Sequence, residues 1–223
     1  MMNVRDELIE SLSHDLEPVS PAPNINATAA VWVLLSAAYV VAMTHLLGPI
    51  RPGAFSQLVT EPRFLLESLL GVAAIIWISV AAFRGAIPAA LGRTFATAGF
   101  VLLSLWLAQY VIGLVNPALE PSTLGKRGYC LFETMAYSLP PILIGLYFIR
   151  RLYPLQFTRT SMTLSLAAGM IPALYMQLAC MYEPLHILGF HILPGLAMVL
   201  VGALAAALWR CLLYTSDAAD DLA

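Results

Sequence analysis

Two stretches of the chain repeat one small arrangement, Cys130-Leu131-Phe132-Glu133 and Cys180-Met181-Tyr182-Glu183, each a thiol followed three residues later by a carboxylate. On a helix, residues three apart share a face, so each stretch would present sulfur and oxygen together. Thiolates bind soft metal ions, and two thiols that meet can be oxidised to a disulfide. With His186 following Cys180, the residues Cys130, Glu133, Cys180, Glu183 and His186 form a candidate soft-metal or redox site, in which Cys130 and Cys180 are the candidate sensing residues. The competing reading is that both cysteines are small, apolar residues at helix contacts, as free cysteines often are. His191 lies deeper in the same apolar run and is read as a hydrogen-bonding residue between helices.

The elements that must position these residues are membrane spans. Of 223 residues, 60% are hydrophobic and 11% charged, against roughly 25% charged in soluble domains, which excludes a water-soluble fold. A span needs about 20 apolar residues, because unpaired peptide groups are costly in hydrocarbon. Six runs meet that length: about Ala27 to Gly48, Phe64 to Phe83, Phe95 to Val115, Leu131 to Ile149, Ser161 to Met181 and Ile187 to Trp209. The second is entered through Glu61-Pro62-Arg63, with Pro62 suited to a first helical turn. The fourth contains Pro140-Pro141, where a kink is expected. The fold class is therefore all-α, a polytopic membrane protein built as a six-transmembrane-helix bundle, with residues 23–210 as the membrane domain.

Lysine and arginine favour the cytoplasmic side. With the N-terminus inside, the inner segments hold Arg5, Arg84, Arg93, Arg150, Arg151, Arg159 and Arg210, and the outer loops hold Arg51, Arg63, Lys126 and Arg127. Seven against four favours a cytoplasmic N-terminus, which places Cys130 and Cys180 at the outer face. Glu67 lies about one turn inside the second span and is expected to pair with Arg63 at i−4, with His45 as a neighbour.

Residues 1–22 differ from the rest. Val4, Leu8, Leu12 and Leu16 recur at i, i+4 spacing beside Ile9, while Asp6, Glu7, Glu10, Asp15 and Glu17 occupy other positions around the helix. This predicts a short amphipathic helix ended by Pro18, with the Pro-rich stretch to Pro23 as a stiff spacer. An acidic polar face is disfavoured beside an anionic inner leaflet, so a protein with a basic groove is the better partner than the lipid surface. The alternative is a solvated juxtamembrane helix without a dedicated partner. The N-terminus lacks the cationic start of a signal peptide. After Arg210 the composition changes abruptly, and back-translation of the residues from Cys211 resembles the transposon-end adapter of sequencing libraries. Residues 211–223 are therefore read as a non-native tail.

These residues resemble a known family, the six-span negative regulators of sigma F. The resemblance rests on Leu8-Ile9-x-x-Leu12 through Asp15-Leu16-Glu17-Pro18-Val19, on Glu61-Pro62-Arg63-Phe64-Leu65-Leu66-Glu67, and on Cys130 and Cys180. It implies a membrane-bound anti-sigma factor of the bacterial inner membrane. Its N-terminal segment, with Leu8, Ile9, Leu12, Asp15 and Leu16 as contacts, would hold an extracytoplasmic-function sigma factor and release it on an envelope, oxidative or metal stress signal sensed at the cysteines. The expected partners are that sigma factor and the lipid bilayer, with no direct contact to nucleic acid. No phosphate loop or nucleophilic triad is present, so no enzymatic activity is expected, and no cofactor beyond a soft metal ion at the cysteines. A small transporter or channel is the alternative, but it would want polar residues around a shared mid-membrane cavity, and the spans offer few. A membrane thiol oxidoreductase would want a C-x-x-C pair, which the chain lacks.

Overall fold

The computed structural model describes residues 13, 23–152 and 154–220, with side chains as far as Trp209. The N-terminal positions Leu8, Ile9, Leu12, Asp15 and Leu16 lie outside the described residues. Six helices are long and apolar enough to cross a membrane, as the composition requires. The described elements are α1 Ile25–Leu47, a short α2 Ala54–Thr60, α3 Pro62–Gly85, α4 Arg93–Gly113, α5 Cys130–Arg150, α6 Phe157–Ala179, a four-residue α7 Pro184–Ile187, a π-helical turn Leu188–Ile192, and α8 Leu193–Asp220. Local chemistry sets the boundaries. Asn24 caps α1, its side-chain oxygen accepting from the Ala27 amide at 3.2 Å, and Pro62 opens α3 where its missing N–H costs nothing. The last span starts at Pro184, three residues earlier than the apolar run suggested, because Glu183 caps α7 by accepting from the Leu185 and His186 amides.

Helix α6 is the central element. It packs against α1, α3, α5 and α8, and its buried face runs from Thr160 to Ala179. In hydrocarbon, helices associate through close packing of small residues, not through expulsion of water. The α6–α8 contact is of that kind. A Cβ on Gly169 would meet the Gly195 carbonyl oxygen, one on Gly195 would lie 2.7 Å from the Gly169 carbonyl oxygen, and one on Gly202 would lie 2.5 Å from that of Ser161. Helix α4 lies at the periphery against α3, where Trp77 stacks on Phe95 at 4.5 Å and donates to its carbonyl at 2.9 Å. Trp32 of α1 donates to the Pro141 carbonyl of α5 at 3.0 Å, anchoring the proline-containing stretch, which stays helical throughout.

The expected Arg63–Glu67 pair is present at 3.2 Å. His45 is not beside it: its Nε2 lies 2.8 Å from the Tyr175 hydroxyl of α6 instead. The reason is the side of α1 that carries His45, which faces α6 and not the start of α3.

Candidate functional site

At one end of the bundle the connectors fold into a cap. The segment between α1 and α2 is fixed to the end of α6, the Arg51 amide donating to the Ala179 carbonyl at 2.9 Å. The α4–α5 connector is fixed to the α6–α7 connector by Ser122, whose amide donates to the Tyr182 carbonyl at 2.8 Å, and by the Ala118 amide, which donates to the Tyr182 hydroxyl at 3.0 Å. These bonds satisfy loop backbone that would otherwise be exposed near the membrane. They also bring the start of α5 against the end of α6, the juxtaposition on which the cysteine reading depends.

Cys130 and Cys180 meet there, Sγ to Sγ at 3.0 Å. Both are free thiols and both are sealed in, 2% and 0% exposed. Sequence reading placed both cysteines at one face of the bundle; in the fold the cap closes over them. The Cys130 thiol donates to the Arg127 carbonyl at 3.2 Å, and the Cys180 sulfur lies 3.5 Å from His186 Nε2.

His191 completes the group. One donor atom from each of Cys130, Cys180, His186 and His191 lies within 4.8 Å of all the others. Sequence reading weighted His191 toward a structural, hydrogen-bonding role within its span. Residues five apart on an α-helix point about 140° away from each other, and the π turn at Leu188–Ile192, whose bonds join i to i+5, brings His186 and His191 to one side. The rings of His186 and His191 stand 5.0 Å apart, near perpendicular, and His186 also stacks on Phe190 at 4.8 Å. No feature of the sequence marks the π turn beyond Gly189 and the doubled histidines.

The two carboxylates of the expected set are engaged elsewhere. Glu183 caps α7 with both oxygens, accepting from Leu185 and His186. Glu133 binds Arg127 with two parallel bonds, Nε to Oε2 at 2.8 Å and Nη2 to Oε1 at 3.1 Å. The same guanidinium donates from Nη1 to the carbonyls of Pro49 at 2.8 Å and Thr44 at 3.3 Å, at the end of α1. Burial pushes Arg127 down, but the hydrogen bonds and charge of Glu133 outweigh it and hold the guanidinium above its ordinary value. Gly48 is required by this arrangement, for a Cβ there would lie 2.7 Å from the guanidinium carbon.

A second cation is buried in the cap. Arg51, 4% exposed, lies beside the edge-to-face pair of Phe64 and Tyr182, its guanidinium carbon 5.8 and 5.7 Å from the two ring centroids, a cation–π placement that offsets part of its desolvation. Burial lowers its basicity, while Tyr182 and Cys180 act in the opposite direction. Neither Arg51 nor Arg127 was legible in sequence as anything but a loop charge.

The arrangement thus holds two contacting thiols, two imidazoles and a buried guanidinium in a dry pocket, a site suited to thiol oxidation or to metal capture and lacking the nucleophile–base–orienter geometry of a hydrolase among the described residues. No curated protein and no solved structure matches the chain. A family model does, over residues 12–213, and its description is negative regulator of sigma F. That span takes in all six apolar helices and the cysteine cap, so the chain belongs to the negative regulator of sigma F family.

Proposed function

We propose that the chain is a membrane-bound anti-sigma factor that holds an extracytoplasmic-function sigma factor through residues 1–22 and releases it when the Cys130–Cys180 pair is oxidised or captures a metal. The family supplies the coarser statement, a negative regulator acting on a sigma factor. The finer one is supported by a single observation: two thiols 50 residues apart in sequence meet at 3.0 Å inside a cap. Sequence packing alone rarely needs two free thiols in contact.

The N-terminal segment suits its part, because a leucine face can occupy apolar grooves on a sigma factor while carboxylates meet basic residues. The cap also suggests how a change at the thiols reaches the other end of the bundle. Cys130 bonds to the Arg127 carbonyl, and the Arg127 side chain bonds to the carbonyls at the end of α1. Helix α1 continues to Asn24, adjacent to residues 1–22. Moving Cys130 therefore pulls on the one helix joined directly to the binding segment, and a shift of this element is the two-state change that the coupling requires.

The test is co-purification of a sigma factor with the full-length chain from membranes. Retention that is lost in Leu12→Asp and Leu8→Asp, and lost in the parent on oxidation, supports the proposal. A sigma factor retained equally by the Leu12→Asp and Leu8→Asp chains refutes the role of residues 1–22.

A further inference from the structure

We infer that Cys130, Cys180, His186 and His191 form one closed tetrahedral site for a borderline-to-soft divalent cation of the zinc or cadmium class. This deepens the sensing proposal above and rests on it only for its biological meaning, because the site can be tested without a sigma factor.

The first argument is the donor set. Two sulfurs and two imidazole nitrogens are the ligands of structural zinc sites, and a closed site leaves no position for water or substrate. The second is distance. With metal–ligand bonds of about 2.0–2.3 Å, tetrahedral ligands stand ~3.3–3.8 Å apart. The four donor atoms already lie within 4.8 Å of one another, with Cys180 Sγ and His186 Nε2 at 3.5 Å and the two sulfurs at 3.0 Å. Closing on a cation requires the sulfurs to separate by under 1 Å and the outermost ligands to approach by up to about 1–1.5 Å, a movement within the reach of side-chain torsions.

The third argument is independent of the cysteines. His191 is fully buried, and both of its ring nitrogens lack a hydrogen-bond partner among the described residues. An unpaired buried polar group is costly, and a metal bond to one nitrogen removes half of that cost. The fourth is charge. Binding a divalent cation at two thiols expels two protons to solvent, leaving two thiolates, two neutral imidazoles and the cation with no net charge. A neutral complex suits a pocket in which three of the four ligands are 2% exposed or less. His186, at 9%, lies at the edge where a cation enters. The π turn that brings the histidines together is itself a feature found often at functional sites.

The experiment is a titration of the reduced full-length chain in detergent micelles with Co2+ as a spectroscopic probe, followed by Zn2+ competition. The expected result is one Co2+ per chain with a tetrahedral spectrum and a thiolate charge-transfer band, both abolished by Zn2+. Cys130→Ser and Cys180→Ser should each remove most of the charge-transfer intensity. His186→Gln and His191→Gln should each weaken binding by at least the ~10–100-fold that loss of a supporting partner costs a metal site. His186→Gln, altered at the exposed edge, serves where the buried His191→Gln chain does not fold. An octahedral spectrum in the parent, or unchanged affinity in His186→Gln, would overturn the assignment. A site that behaves as described but leaves sigma-dependent transcription unchanged on metal addition supports this inference and counts only against the sensing proposal.

Discussion

Removing the charge of Glu133 should destabilise the cap more than any other conservative change in it. Glu133→Gln keeps the volume and leaves Arg127, with a side chain 2% exposed, without its anion. Breaking a buried pair by removing one partner costs about 3–5 kcal/mol, because the remaining charge stays desolvated. Arg127→Met differs: Glu133 is 15% exposed and keeps contact with solvent, but the carbonyls of Pro49 and Thr44 lose their donor, at about 1–3 kcal/mol for each one left unsatisfied. In the double variant Arg127→Met, Glu133→Leu no charge is buried. It should recover the ion-pair part and remain about 2–6 kcal/mol below the parent through the two carbonyls alone. Reversible unfolding in mixed micelles, followed by tryptophan fluorescence, measures all three variants. If Glu133→Gln lies within about 0.5 kcal/mol of the parent, as a surface substitution would, the guanidinium is not sealed and the reasoning about this cap fails.

Other outcomes follow from the same geometry. Diamide, which accepts the two electrons and two protons of two thiols, should convert Cys130 and Cys180 into an intramolecular disulfide, since the sulfurs need approach by only about 1 Å; mass spectrometry of non-reduced peptides checks this, and intermolecular dimers in its place would count against the cap. Gly169→Val should destabilise the α6–α8 contact by about 1–3 kcal/mol or more, read as a lower unfolding midpoint, because its Cβ would strike the Gly195 carbonyl oxygen. Gly48→Ala should displace the Arg127 guanidinium and raise basal sigma-dependent transcription without touching a thiol; a reporter at parental level with normal protein abundance would break the proposed route through α1.

The spans were legible because hydrocarbon leaves the chain little choice: about 20 apolar residues between polar connectors must be a helix. The cysteine pair was legible for a related reason, as alternation of six spans puts the start of α5 and the end of α6 at the same depth. What sequence did not convey was loop and turn geometry. Glu133 lies three residues from Cys130, which suggested a shared ligand face, but Arg127 folds back over the first turn of α5 and takes both of its oxygens. Glu183 was assigned to the same ligand set, but a carboxylate one residue before Pro184 is also an N-cap, and capping won. His191 was given a structural role inside its span, because nothing in the sequence marks the π turn that brings it beside His186.

The buried arginines also bear on orientation. The count of seven basic residues inside and four outside treated every charge as solvated. In the fold, Arg51 and Arg127 of the outer set are 4% and 5% exposed, one set against the aromatic pair of Phe64 and Tyr182 and the other neutralised by Glu133. Charges sequestered in this way do not face lipid headgroups, so the basic residues that reach solvent at that end are Arg63, paired with Glu67, and Lys126. At the opposite end Arg93, Arg150, Arg151 and Arg159 are exposed, and Arg84 reaches Asn26 beside the start of α1 at 3.0 Å. The asymmetry in solvated charge is therefore sharper than the asymmetry in composition. That is the asymmetry the proposed orientation requires by the positive-inside rule, with residues 1–22 toward the cytoplasm and the thiol cap toward the exterior.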